Sequence, residues 1–134
     1  MNMNIKYIEL KHDGVRGEGR IGRVTFSKSG KAIYYKDRVL APISGWSLKA
    51  NYYDESTLEE FWVSNPTKNG SDSLYPTVVE VDEDAREEYW ISIRNDNANI
   101  NRKNYKSPGK ARKLREKSEK AVRRRDMDRR FRAP

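Results

Sequence analysis

The chain has 134 residues, 36% charged and 35% apolar, which allows one domain with a modest core plus an appendage. It has no cysteine and a single histidine, His12, so a disulfide framework and a thiolate metal site are excluded, and a histidine metal centre or catalytic triad is disfavoured. The net charge of +8 is segregated: residues 1–101 hold 13 Lys/Arg against 16 Asp/Glu (−3), whereas residues 102–134 hold 15 against 4 (+11).

Eight Tyr, three Trp and three Phe supply much of the large apolar surface, and such residues favour strands. The alternation in Lys6–Lys11 predicts a half-buried first strand with Ile8 and Leu10 on its core face. His12-Asp13-Gly14 opens a loop. The following GVRGEG, with Arg16 and Arg20 close by, could hold a phosphate but lacks the P-loop lysine and a following helix, and reads as a strand connection. The clearest local signal is residues 20–36. Two β-branched and aromatic runs, Ile21–Ser27 and Lys31–Tyr35, flank a Lys28-Ser29-Gly30 turn, predicting a β-hairpin around which the domain is organised. A two-residue Ser29-Gly30 loop would put Val24 and Phe26 on one face with Tyr35 and Ile33; a three-residue loop would shift the partners by one.

Lys36-Asp37 turns the chain into a short strand at Val39-Leu40, and residues 41–48 read as a loop with Trp46 as a lid on the core. A second hairpin is expected over Lys49–Ser64, with Asn51–Tyr53 and Glu60–Val63 as strands and Asp54–Thr57 as the turn. The acids at its tip, Asp54, Glu55, Glu59 and Glu60, are a candidate cation or docking site, set against a plain solvated tip. Asn65–Tyr75 is dense in turn formers, with a strong signal at Asn69-Gly70, and Thr77–Val81 is a strand. Asp82 reads as the N-cap of a short helix with Ala85, Tyr89 and Trp90 toward the core and its carboxylates on a solvated first turn.

The expected architecture is mainly β, a small antiparallel barrel or bent sheet of the SH3-like or OB-like kind, over residues 1–94 with one short helix. A linker over 95–106 and a basic helical tail over 107–134 follow. Ser107-Pro108 suits a helix start. Acid-to-base pairs four residues apart, such as Glu116/Lys120 and Glu119/Arg123, support a helix whose apolar stripe is thin. No apolar run is long enough to span a membrane and the N-terminus lacks a signal-peptide core, so a soluble cytoplasmic protein is expected.

Residues 5 to about 93 resemble a family of small uncharacterised bacterial proteins, through KYIELK at 6–11, IGRVTFSKSGKAIYY at 21–35, NYYDESTLEEFWVSN at 51–65, KNGSD at 68–72 and VDEDAREEYW at 81–90. The resemblance implies a compact bacterial β-rich domain and no catalytic residues, and the basic tail lies outside it; with no diphosphate-binding motif in the sequence, no cofactor is expected.

The charge pattern points to a non-enzymatic nucleic-acid-binding protein, associated with RNA or a ribonucleoprotein such as the ribosome. Its contact residues in the tail would be Lys110, Arg112, Lys113, Arg115, Arg123, Arg124, Arg125, Arg129, Arg130 and Arg132. Arg20, Arg23, Lys28 and Lys31 would add contacts from the domain, and Tyr34, Tyr52 and Trp62 would offer base-stacking surfaces. The alternative is a protein–protein adaptor, whose aromatic sheet face binds a partner while the tail docks on an acidic protein surface.

Overall fold

The run of residues 19–26 takes part in two different ladders, and this shapes the molecule. The computed structural model describes residues 4–11, 19–44 and 50–110. Among them nine strands form one sheet: β1 (Ile5–Lys11), β2 (Gly19–Arg23), β3 (Thr25–Phe26), β4 (Ile33–Tyr35), β5 (Arg38–Pro42), β6 (Tyr52–Asp54), β7 (Glu60–Ser64), β8 (Thr77–Val81) and β9 (Asn104–Ser107). Their spatial order is β3-β4-β5-β6-β7-β1-β2-β8-β9. Only Val24 separates β2 from β3, and its amide donates to the Asn4 carbonyl at 2.7 Å. The pairings thus leave from the second half of this run, pass through β4 to β7 and β1, and return to its first half. The result is a mainly β, curled half-barrel with one short helical segment.

The first hairpin has the register of a two-residue Ser29-Gly30 loop: Phe26 lies opposite Ile33 and Thr25 opposite Tyr34. Gly30 takes φ +77°, and the Ser27 amide closes the loop on the Ala32 carbonyl at 3.0 Å. The Lys36-Asp37 turn joins β4 to β5, and the second hairpin pairs Tyr52 with Phe61. One ladder departs from the antiparallel expectation, because β8 runs parallel to β2. β7 and β8 both run in the direction of β2, with β1 and β2 between them, so residues 65–76 must lead the chain back past these two strands before β8 begins, which a tight turn cannot do.

Each face of the sheet buries its own core. Inside the curl lie Ile8, Val24, Ile33, Tyr35, Leu40, Phe61 and Val63, with Leu10, Phe26 and Tyr52 against them. On the other face Ile5, Tyr7, Ile21, Val79, Val81 and Tyr105 are covered by Ala85, Tyr89, Trp90 and Ile93. The first strand is therefore buried on both faces, not half-buried as its alternation suggested. The covering segment runs from a 3-10 turn (Glu83–Ala85) through one α turn (Arg86–Glu88) into a π turn (Tyr89–Ile93). In that π turn the Arg94 amide reaches back to the Tyr89 carbonyl at 2.9 Å, and the adjacent Tyr89 and Trp90 are both buried.

The linker expected over 95–106 carries structure. Asn97–Asn99 form a 3-10 turn and β9 pairs with β8 across Val79–Tyr105. The Asn-rich composition argued for a loop, but burial of the Tyr105 ring and the ladder to β8 override it. The folded unit thus extends past residue 94. Ser107, expected to start a helix, is the last residue of β9, and its hydroxyl meets that of Ser73 at 2.7 Å.

Candidate nucleic-acid interface

The cations nominated from the sequence fall into different surroundings. Arg20, on β2, donates Nε to Asp82 at 2.9 Å and pairs with Glu80 at 3.2 Å. Arg23 pairs with Glu88 at 3.4 Å and donates to the Asp84 carbonyl at 3.2 Å. These two arginines already have acidic partners and do not present a free phosphate fork. Lys28 and Lys31, on the hairpin tip, are exposed, and among the described residues no carboxylate pairs with either. Lys110 is half-buried, its amide shared between the Ser73 and Leu74 carbonyls at 2.9 and 3.0 Å. Arg112, Lys113, Arg115, Arg123, Arg124, Arg125, Arg129, Arg130 and Arg132 lie outside the described residues, as do Arg16 and Trp46.

The three proposed stacking rings are not brought together. Tyr34 is 41% exposed on the outer face of β4. Tyr52 packs against the core inside the curl and Trp62 against the core on the opposite face. Strand alternation explains the split: Tyr52 lies opposite Phe61 and therefore faces the same way, whereas Trp62 follows Phe61 and points to the other side.

Asp82 is only 5% exposed, in contrast to the solvated first turn expected of it. Its carboxylate caps no helix amide; instead it accepts from Arg20 and the Tyr35 hydroxyl, with the Lys36 ammonium at 3.7 Å. Burial, then the hydrogen bond to Asp82, raises the Tyr35 hydroxyl well above its ordinary pKa. These groups edge a cleft of about 640 Å³ in which Arg20, Lys36, Arg86 and Lys103 are matched by Glu80, Asp82, Glu83 and Asp84. Such alternating charge gives no net attraction for a phosphate chain.

The acidic tip of the second hairpin also resolves into structure. Asp54 is buried, accepts from the Ser56 and Thr57 amides at 2.8 and 3.2 Å, and pairs with Arg38 at 2.7 Å. Burial pushes its carboxyl up, but Arg38 and the two amides outweigh that and hold it below its ordinary pKa. No group of acids among the described residues is arranged to hold a metal ion.

Sequence reasoning missed a fully buried carboxylate. Asp72 has no exposure. It accepts from the Tyr89 hydroxyl at 2.7 Å, the Tyr105 hydroxyl, and the Thr67 amide and hydroxyl at 2.6 and 3.0 Å. Arg94 donates to the Tyr89 hydroxyl at 2.9 Å and lies 5.0 to 5.7 Å from the Trp90, Tyr105 and Tyr89 rings. Burial, then the Asp72 charge, raises the Tyr89 and Tyr105 pKa values. In the sequence Asp72 is one turn former among many, and nothing local distinguishes it. A second buried set, Tyr7, Glu9 and Lys11, sits on one side of β1, where Glu9 accepts from the Tyr7 hydroxyl and is ion-paired with Lys11. The Asp72 set has the satisfied hydrogen bonding of a structural network, whereas in the Glu9 set one carboxylate oxygen has the Lys11 ion pair but no hydrogen bond.

No helix among the described residues is long and apolar enough to cross a membrane. In comparisons with protein-family models, curated proteins and solved structures, nothing matches the chain.

Proposed function

We propose that the chain is a non-enzymatic nucleic-acid-binding protein that associates with RNA, free or within a ribonucleoprotein such as the ribosome, through its Arg/Lys-rich C-terminal segment. The carrying observation is the charge segregation, 15 Lys/Arg against 4 Asp/Glu over residues 102–134, nine of the 15 being Arg. Such a density neutralises many phosphates and releases their counterions. The basic stretch begins on the folded unit: Arg102, Lys103 and Lys106 are all exposed, the last on the edge strand β9. Arg20 and Arg23, held by acids, add little, so the domain serves as a mount for the tail. The adaptor alternative takes second place, because it needs an aromatic sheet face, and Tyr52 and Trp62, nominated above for base stacking, pack against the cores instead.

The test compares the full chain with one ending at Lys110, using fluorescence anisotropy of a labelled single-stranded RNA over a salt series. Truncation at Asn101 would be unsuitable, since it removes β9 and the buried Tyr105. The full chain should lose affinity with salt at a log–log slope of roughly 0.7 per neutralised phosphate. The truncated chain should lose most of its affinity and most of that slope. Equal binding by both, insensitive to salt, would overturn the reading.

A further inference from the structure

On the basis of that reading, we propose that the mouth of the curled sheet beside the first hairpin is a second contact, which holds one phosphodiester of the same single strand. The notch, of about 590 Å³, is lined by Lys6, Phe26, Ser27, Lys28, Ser29 and Asn65 together with the turn glycine. The clefts at Asp82 and beside Arg23 are each lined by several carboxylates; this one has none.

The convergence follows from the register. Lys6 lies opposite Gly22 on one side, and Tyr7 pairs with Ser64 on the other, which puts Lys6 beside Asn65. Lys6 points with Ile8 and Leu10 toward the interior of the curl, as Phe26 does, so both stand at its open end. The hairpin tip then brings Lys28 and two serine hydroxyls, 3.3 Å apart, to the same rim. Mouths of curled sheets are frequent ligand sites because an apolar floor meets converging polar groups there.

Lys6 identifies the ligand class. It is half-buried, its ammonium donates to the Asn65 side-chain oxygen and lies 5.8 Å from the Phe26 ring centroid. Among the described residues it has no carboxylate partner. Burial lowers its pKa, the mark of a cation that has lost water without gaining a counter-charge. A phosphodiester oxygen supplies that charge, Lys28 pairs with the second oxygen, and the serine hydroxyls and Asn65 amide can bond the sugar or base edge. The Arg-rich segment would then provide most of the affinity and the notch would fix where the strand crosses the domain.

The experiment uses the full chain and the same labelled RNA. Lys28→Gln, an exposed change that spares the fold, should weaken binding several-fold at low salt and reduce the salt slope by about one contact. Lys68→Gln, in a turn outside the notch, should leave both unchanged. In ¹⁵N spectra the backbone amides of residues 27–30 should shift on adding RNA, which reports on the notch without any substitution. If RNA binds but Lys28→Gln matches wild type and those amides stay in place, the notch proposal fails while the tail reading stands. If the full chain binds no RNA even at low salt, both fail.

Discussion

Removing a single hydroxyl, by Tyr105→Phe, tests whether the buried Asp72 network holds β9 onto the domain. The substitution keeps the ring, its 5.4 Å stacking on Tyr89 and its edge-on contact with Trp90 at 5.7 Å. What is lost is one hydrogen bond to a fully buried carboxylate. Bonds to charged groups contribute about 1.5–3 kcal/mol net. Asp72 retains Tyr89 and Thr67 as donors, so the carboxylate is not orphaned, and the loss should be about 2 kcal/mol. With a urea dependence of about 2 kcal/mol per molar, the unfolding midpoint should fall by roughly 1 M, followed by tryptophan fluorescence. Asp72→Asn and the double variant complete a cycle whose coupling should exceed about 1 kcal/mol. A midpoint shift worth less than about 0.5 kcal/mol, or strictly additive variants, would refute the assignment of Asp72 as the acceptor that ties β9 to the core.

Three further outcomes follow from the same geometry. A Cβ at Gly22 would lie 2.4 Å from the Tyr35 ring and 2.8 Å from the Asp82 carboxylate, so Gly22→Ala should cost about 1–3 kcal/mol in thermal unfolding; an unchanged midpoint would show that the Tyr35–Asp82 contact is loose. Asp54 has a folded pKa below its ordinary 3.8, so its contribution is complete above that value and is lost as pH falls through the lower, folded pKa. The stability gap between wild type and Asp54→Asn should therefore narrow below about pH 4, and a gap constant down to pH 2 would exclude a role for the ionised carboxylate. Finally, Arg23→Gln should change RNA affinity less than twofold, because its guanidinium is engaged by Glu88 and the Asp84 carbonyl; a loss as large as that of Lys28→Gln would place β2 in the interface.

Local chemistry was enough to read the two hairpins, the turn at Gly30, the short strand at Thr77–Val81 and the helical start at Asp82 with Ala85, Tyr89 and Trp90 inward. Each depends on neighbours a few residues away: a glycine that accepts positive φ, β-branched runs, an acid before an apolar face. The segregated basic charge was legible for the same reason, being a property of composition. Tertiary structure decided what those residues meet. Arg20 and Arg23, nominated as phosphate contacts, are paired by acids 62 and 65 positions away. Asp72, a turn former by type, became a buried acceptor because tyrosines 17 and 33 positions away point at it. Residues 104–107 became a strand because Tyr105 finds a core and β8 offers an edge, and the notch at Lys6 exists because residues 19–23 and 25–26 pair with different strands. Propensity acts along the chain, whereas burial and charge pairing act through space and are settled only when distant segments share a face.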